Sequence, residues 1–143
     1  MEKIMKMLMG SLVFGAFAIV ATSSLADGHI AEGEKLVAKR CKACHMIADG
    51  DNVVLKGGKV GPNLWGVIGR PAGSIEGFKY GKSLSQAGEK GLVWDEEQLA
   101  AFLADPKKYL RVYLDNKKAK SKMNFKLKKE DQRAAVAAYL GSL

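Results

Sequence analysis

Apolar side chains recur every three or four residues in several stretches of the sequence, which is the spacing of an amphipathic helix. Residues 31–44 form the first of these stretches, with Leu36 and Val37 on its apolar face. Residues 130–140 form the last, and Gly141 follows it as a stop signal. The pattern therefore predicts a helix at each end of the part of the chain that follows residue 30.

Helix start and stop signals also stand in the middle of the chain. Asp95 is a favourable N-terminal cap, and Gln98 follows it at the spacing of a capping box. Phe102 belongs to the apolar stripe that comes next. Asp105 and Pro106 end this helix and can begin another, because proline is favoured at the first position of a helix.

The remaining stretches carry no helical spacing. Residues 49–62 are rich in glycine, aspartate and lysine, residues 65–68 form one helical turn at most, and glycines punctuate residues 66–81. No strand alternation and no internal repeat is evident, so we expect an all-α domain of about four to five helices with long loops. Loops this long are uncommon in small domains unless they serve a function, and we expect a bound group to supply part of the core.

The first residues have the three parts of a secretory signal peptide. Lys3 and Lys6 precede a nearly continuous apolar run over residues 7–21, and small residues follow at the cleavage site. The run is shorter than the roughly 20 residues that cross a bilayer as a helix, although an uncleaved membrane anchor is the alternative. We expect residues 1–26 to be removed, residues 27–143 to form one domain, and the protein to be periplasmic.

Composition excludes several classes of protein. The chain of 143 residues is 48% hydrophobic with three prolines, which is typical of one globular domain and not of a disordered or multidomain protein. Its two cysteines are too few for a disulfide scaffold or for an iron–sulfur cluster held by four thiolates. The 23 lysine and arginine residues against 15 acidic ones give a net charge of +8, which favours acidic partners.

The pattern C-x-x-C-H from Cys41 to His45 carries the clearest chemistry. Two thiols at this spacing can add to the two vinyl groups of one haem, and the histidine then lies beneath the iron as an axial ligand. A thioredoxin-like redox pair needs a βαβ setting, which the pattern lacks, and a zinc site needs four ligands, for which His29 is the only spare candidate. We therefore predict one haem c, bound covalently through Cys41 and Cys44, with His45 on the iron.

The residue on the other face of the iron decides between electron transfer and ligand binding. Met46 adjoins His45 and cannot reach across the ring, whereas Met123 lies in a loop far along the chain. Met123 is therefore the candidate for the sixth ligand. An open iron face and ligation by a lysine such as Lys122 are the alternatives.

Further motifs follow in order along the chain, namely Gly61-Pro62-Asn63-Leu64 with Gly69-Arg70, Phe78-Lys79-Tyr80, Gly91-Leu92-Val93-Trp94, Asp105-Pro106-Lys107-Lys108-Tyr109 and Ala138-Tyr139-Leu140. With the haem motif and the methionine loop, their order resembles the class I c-type cytochromes, and most closely the bacterial cytochrome c2 group, over residues 30–143. The resemblance implies the class I cytochrome c fold, which is all-α with long loops around one haem.

The resemblance also implies roles for residues around the haem. The carbonyl of Pro62 is expected to accept a hydrogen bond from His45 Nδ1, which orients the ring. Arg70, Tyr80 and Trp94 are expected to donate hydrogen bonds to a haem propionate. The plainer alternatives are a solvated surface charge for Arg70 and an ordinary core position for Trp94.

One match to the family and two departures from it concern packing around the haem. Gly33 and Tyr139 match the contact between the first and last helices. Phe102 occupies a position where many relatives carry a tyrosine near the methionine, so one hydroxyl is missing from the haem crevice. The loops at residues 46–60 and 110–122 are longer than in the mitochondrial relatives.

Basic residues crowd two stretches that flank the predicted haem. Charge runs are usually solvated surfaces, but two runs beside one cofactor are expected to surround its exposed edge with positive charge. Such a surface attracts acidic partners and raises association rates. Export and the lack of interleaved aromatic residues disfavour nucleic acid as a partner. The lysines expected to contact a partner are Lys42, Lys107, Lys108, Lys120, Lys122 and Lys126.

The resemblance implies a soluble, monomeric electron carrier in the periplasm rather than an enzyme. Its iron would alternate between Fe(II) and Fe(III) while held by His45 and Met123, and the thioether would favour a high potential. Electrons would pass from a membrane cytochrome bc complex to a photosynthetic reaction centre, a terminal oxidase, or both. The alternative is a haem protein with an open iron face, such as a peroxidase or a gas-binding sensor.

Overall fold

The computed structural model describes residues 23–143, with side chains from residue 26 onward. Residues 1–22 of the predicted signal peptide lie outside the described residues. The predicted cleavage site after Ala26 falls within the first helix. Five helices and one short hairpin make up the regular structure of the described part. In chain order they are α1 (Ser23–Arg40), β1 (Ile47–Asp49), β2 (Asn52–Leu55), α2 (Lys82–Glu89), α3 (Glu96–Ala104), α4 (Pro106–Tyr113) and α5 (Glu130–Gly141).

Helices α1 and α5 pack against each other and join the two ends of the described chain. At their crossing, a Cβ atom added to Gly33 would lie 2.0 Å from the carbonyl oxygen of Ala135 and 2.7 Å from the Cβ of Tyr139. Only glycine has room for so close an approach. Val37 and Val136, one from each helix, are fully buried in the core. The expected contact between Gly33 and Tyr139 is therefore confirmed.

The predicted first helix is wrong at its C-terminal limit, because α1 ends at Arg40 and not at Cys44. The amides of Cys44 and His45 both donate to the carbonyl of Cys41, at 3.0 and 2.9 Å, and close a tight turn. The amides of Gly58 and Gly61 then donate to the carbonyls of Lys42 and Cys44, at 2.8 and 2.7 Å. The helix does not continue because the following loop has taken the hydrogen-bond partners that another helical turn would need.

Part of the predicted loop at residues 49–62 is a hairpin, since β1 and β2 pair antiparallel. Asp49 pairs with Asn52 across the turn. The signal was present in the dipeptide Gly50-Asp51, which is one of the common two-residue hairpin loops, and in the β-branched residues after it. The expectation that the chain forms no strands is therefore wrong here.

Helix α2 lies where the glycine spacing predicts irregular structure. Its N-terminal cap is Gly81, which offers no side-chain hydrogen bond, and Gly88 lies inside the helix. Ser83 and Ala87, four residues apart, are its buried positions. The helix is thus stabilised by tertiary packing, while its own sequence marks it weakly.

The predicted signals around α3 and α4 are confirmed. The Asp95 carboxylate accepts a hydrogen bond from the Gln98 amide at 2.7 Å and caps α3. The Asp105 carboxylate accepts from the Lys108 amide at 3.0 Å and caps α4, whose first residue is Pro106. A cap satisfies a main-chain donor that has no partner inside the helix, so both start sites were visible from sequence.

The buried apolar residues form one cluster to which all five helices contribute. Helix α3 contacts both α4 and α5. Helix α5 is at the predicted place, although Gly141 is its last residue and not the residue after it. No helix within residues 23–143 is both long enough and apolar enough to cross a membrane. The prediction of an all-α domain with four to five helices is confirmed.

The close approach at Gly33 gives a test of the helix pairing. Replacing Gly33 with Ala would push the two helices apart, so we expect the free energy of unfolding to fall by about 1–3 kcal/mol, the usual cost of overpacking. Gly28→Ala is the matched control, because it lies in the same helix and its Cβ would meet nothing within 4 Å. The control should be neutral or stabilising by up to about 1 kcal/mol. Urea unfolding measures both variants, and equal effects would contradict the packing.

Candidate functional site

A cleft of about 470 Å³ opens beside the turn that ends α1, and we call it the central cleft. Its walls come from this turn, from the loop at residues 60–67, from α3 and α5, and from the loop at residues 120–125. The space is large enough for an organic cofactor. Its apolar wall includes Leu64, Val67, Leu99, Phe102, Leu103, Phe125, Val136 and Leu140.

Both cysteines of the C-x-x-C-H motif line the central cleft. Cys41 is half-buried and Cys44 is exposed. Burial, and less strongly the neighbouring Cys44, raise the pKa of the Cys41 thiol to about 11. The turn after α1 therefore brings both cysteines to the same cleft. No three His, Cys, Asp or Glu side chains come together as a metal site within residues 23–143, and His29 is exposed on α1.

His45 follows the second cysteine and also lines the cleft. Its Nδ1 atom lies 2.8 Å from the carbonyl oxygen of Pro62. Because a carbonyl oxygen only accepts, Nδ1 carries the hydrogen and Nε2 keeps its lone pair. Burial lowers the pKa of the His45 ring, and the hydrogen bond to Pro62 opposes that shift in part. Burial thus favours the neutral ring, which is the form that binds a metal ion.

Gly61 fits closely against the same ring. A Cβ atom at this position would lie 2.2 Å from Cε1 of His45 and 2.6 Å from its Nε2. Any side chain here would displace the imidazole, so only glycine lets the main chain pass so near. Gly61 and Pro62 together define where the ring sits, one by contact and one by hydrogen bond.

Asn63 is a residue whose role the sequence analysis did not identify. Its side-chain oxygen accepts hydrogen bonds from the amides of Ala48 and Trp65, each at 3.1 Å, and its side-chain nitrogen donates to the carbonyl of Ala48 at 2.7 Å. The two bonds to Ala48 fasten the loop that carries Pro62 to strand β1, and the bond from Trp65 lies within the loop. An asparagine directly after a proline is a turn signal that could have indicated this role.

Arg70 lines the cleft and is half-buried, so it is not a solvated surface charge. Its two terminal nitrogens donate to the carbonyls of Trp65 and Asn63, at 3.1 and 3.0 Å. Burial lowers the pKa of the guanidinium, and nearby Tyr80 opposes that shift. A guanidinium has five N–H donors, so these two bonds leave donors for another acceptor in the cleft.

Tyr80 and Trp94 both line the cleft as well. The Tyr80 hydroxyl accepts a hydrogen bond from the Ile75 amide at 3.3 Å, and its ring packs edge-on against Phe78 with centroids 4.7 Å apart. Trp94 is only 6% exposed and packs against Phe102. Trp94 is therefore both a core residue and part of the cleft wall, so these two positions are not alternatives.

Phe102 puts an unsubstituted ring into the cleft wall. Its centroid is 5.0 Å from that of Trp94 and 5.7 Å from that of Tyr109. The Tyr109 hydroxyl bonds to the side-chain oxygen of Gln98, and burial raises the pKa of this phenol to about 12. The tyrosine next to Phe102 therefore has its hydroxyl engaged on α3.

Met123 lines the cleft on the loop between α4 and α5 and is half-buried. Met46 is half-buried too, but it is not part of the cleft wall. The carbonyl of Met123 accepts a hydrogen bond from the Ser121 hydroxyl at 2.9 Å. Lys122, the alternative ligand, also lines the cleft, and its Nζ atom donates to the Lys79 carbonyl at 2.8 Å.

The six lysines proposed for partner contact are all exposed, but they differ in position. Lys120 and Lys122 line the cleft. Lys126 forms an ion pair with Asp105, with Nζ and Oδ2 2.6 Å apart, and this bond is the main reason why the pKa of that carboxyl is lowered. Part of the positive charge near the methionine loop is therefore neutralised. The other three are Lys42, between the two cysteines, and Lys107 and Lys108, at the start of α4.

Comparison with known proteins gives consistent matches. The family model described as cytochrome c matches residues 30–143. The chain is 46% identical to cytochrome c-551 of Roseobacter denitrificans, over 90% of each chain, and 48% identical to cytochrome c2 of Rhodovulum adriaticum, over 82% of this chain and 94% of the relative. The crystal structure of cytochrome c2 from Paracoccus denitrificans superposes with a TM-score of 0.74 at 46% identity, covering 79% of this chain and 93% of that one.

The three hydrogen bonds of Asn63 give a test of the loop that fixes Pro62. Asn63→Ala would leave the buried amide of Ala48 unpaired, and we expect a loss of about 1–3 kcal/mol of unfolding free energy. Asn63→Asp would place a carboxylate oxygen against the Ala48 carbonyl, which raises the pKa of the new carboxyl. Its destabilisation should therefore be larger at neutral pH and shrink as falling pH protonates the group.

Urea unfolding at neutral and mildly acidic pH measures both Asn63 variants. Asn52→Ala is the control, because this exposed asparagine of β2 makes no side-chain hydrogen bond within the described residues. It should change stability by no more than about 0.5 kcal/mol. An Asn63→Asp variant whose stability does not recover in acid would contradict the assigned bond to Ala48.

Proposed function

The chain belongs to the cytochrome c family and carries one covalently attached haem c, and from this premise we propose that it transfers single electrons on an iron held by His45 and Met123. The resemblance to bacterial cytochrome c2 and the class I fold are confirmed by the family match and the structural neighbours. The protein is an electron-transfer haem protein and not an enzyme.

Cys41 and Cys44 are the proposed attachment points. Both lie on the turn that ends α1, and each would form a thioether with one vinyl group of the haem. The fit is supported by the mainly apolar wall of the central cleft, which suits a porphyrin face. The haem, when bound, supplies an iron that alternates between Fe(II) and Fe(III).

His45 is the proposed ligand on one face of the iron. The observation that carries the proposal is its hydrogen bond to Pro62, which leaves a neutral Nε2 lone pair beside the two cysteines. The close fit of Gly61 blocks movement of the ring toward this loop. A ring held in place in both oxidation states keeps the rearrangement on electron transfer small.

Met123 is the proposed ligand on the other face. It lies in the wall of the same cleft, on a loop distant in sequence from His45. A thioether sulfur favours the reduced metal, so the potential is expected to be high. The apolar side chains around the cleft exclude water and act in the same direction.

Arg70, Tyr80 and Trp94 are the proposed partners of a haem propionate. All three line the cleft, and Arg70 has donors left after its bonds to two loop carbonyls. A buried carboxylate needs such donors to offset the loss of its hydration. The same guanidinium would then hold both the loop and the propionate.

We place the working protein in the periplasm after removal of residues 1–26, as the basic start, the apolar run and the small residues before residue 27 support. The domain at residues 27–143 would act as a monomer. It would accept electrons from a membrane cytochrome bc complex and pass them to a photosynthetic reaction centre, a terminal oxidase, or both. The exposed lysines near the cleft support docking on acidic surfaces of these complexes.

Replacing Met123 with Ala tests the ligand assignment. We expect the potential to fall by on the order of 0.1 V, within the roughly 0.8 V range that axial ligands set. The ferrous variant should also bind carbon monoxide readily because one iron face becomes open. Met46→Ala is the matched control, since Met46 is equally half-buried but outside the cleft wall, and its potential should stay unchanged. Fast stoichiometric carbon monoxide binding by the unaltered protein would favour an open-face haem protein instead.

A second test concerns the lysines at the cleft. Lys120→Gln should slow electron transfer from a purified cytochrome bc complex by about twofold to fivefold at low ionic strength, and the difference should vanish at high salt. Lys90→Gln removes the same charge from an exposed lysine at the end of α2 that does not line the cleft. If both variants slow the reaction equally, net charge and not a docking surface explains the effect. A rate that is independent of salt would contradict both explanations.

A further inference from the structure

The segment that carries Met123 is attached to the rest of the protein mainly at its two ends. Within residues 121–126, here called the Met123 segment, no main-chain amide donates a hydrogen bond to the rest of the described chain. Side chains of the segment do make contacts, since Met123 and Phe125 pack against the core. Its main chain, however, is held by hydrogen bonds of the residues on either side. Small movements at an anchor would change where the sulfur atom points.

Two hydrogen bonds fix these ends. After the segment, the Leu127 amide donates to the Leu103 carbonyl on α3 at 2.8 Å. Before it, the Lys120 amide donates to the hydroxyl oxygen of Ser83 on α2 at 3.0 Å. The second bond joins residues 37 positions apart, and it is made by a side chain.

Ser83 is unusual among the polar residues of the protein. Its exposed fraction is 9%, and it is the one buried residue of the described chain that is neither apolar nor aromatic. A buried hydroxyl at this place is expected to have a partner, and the Lys120 amide is that partner. Other side-chain bonds to this loop come from Lys122, Arg111 and Lys126, which are all exposed and so compete with water.

We propose that Ser83 is a positioning residue for Met123, because its hydroxyl holds the start of the Met123 segment against α2 and so keeps the sulfur atom directed into the central cleft. The inference rests on the proposed function, in which Met123 binds the iron. Ser83 touches neither the iron nor the haem in this role. Its contribution is to oppose the outward movement of the loop that must occur when another ligand displaces Met123.

Added imidazole measures that displacement directly, because it competes with Met123 for the ferric iron of the haem-loaded protein. For Ser83→Ala we expect the imidazole binding constant to rise about fivefold, the equilibrium effect of one lost hydrogen bond. Ser83→Thr keeps a hydroxyl and should return the constant toward that of the unaltered protein. Ser85→Ala is the matched control, because it is the same change on the same helix and the Ser85 side chain makes no hydrogen bond in the described chain. This variant should leave the imidazole binding constant unchanged.

Two results would overturn the assignment. The first is an equal imidazole constant for Ser83→Ala and Ser85→Ala, whatever happens to their unfolding free energies. The second, which needs no variant, is fast hydrogen exchange at the Lys120 amide in the unaltered haem-loaded protein, where we expect protection. Failure of the proposed ligand is distinguishable, because the unaltered ferric protein would then lack the absorption band of an iron–thioether bond before any imidazole is added.

Discussion

The crossing of α1 and α5 at Gly33 is the contact on which the other parts of the structure depend. Helix α1 ends in the turn that carries Cys41 and His45, and α5 supplies Val136 to the cleft wall. The distance between these helices therefore sets how the cysteine–histidine turn faces the far side of the cleft. Because a methyl group at the crossing would overlap the main chain of α5, the spacing is fixed by the absence of a side chain.

Around this helix pair, long loops are held by individual side-chain hydrogen bonds. Asn63 fastens the loop of Pro62 to β1, Arg70 binds two carbonyls of the same loop, and Ser83 binds the start of the methionine loop. Such bonds suit a domain whose centre is reserved for a cofactor, because a cleft wall has no regular ladder to satisfy its main-chain groups. The stability of the walls and the orientation of the ligands thus come from the same few polar contacts.

Features whose interacting residues lie a few positions apart could be predicted from the sequence, whereas features that depend on residues distant in sequence could not. The caps at Asp95 and Asp105 were visible because a cap involves residues three positions apart. Helix α2 was missed because its sequence lacks a side-chain cap, and packing of Ser83 and Ala87 stabilises it. Among the predicted site residues, Cys41, Cys44 and His45 lie within five consecutive positions and needed no fold to be found. The sequence did not reveal that Asn63 and Ser83 position two loops. Each side chain bonds to a main-chain group that only the folded chain brings within reach.

The sequence by itself determined the chemistry of this protein: two thiols and an imidazole in five consecutive residues, one distant thioether, and an excess of lysine. These follow from residue identity and spacing alone. The tertiary structure decided which carbonyl orients His45, which lysines lie at the cleft and which of them is neutralised by Asp105. The physical reason is that hydrogen bonds and ion pairs act over a few ångströms, and only the packed helices bring groups that are far apart in sequence within that distance.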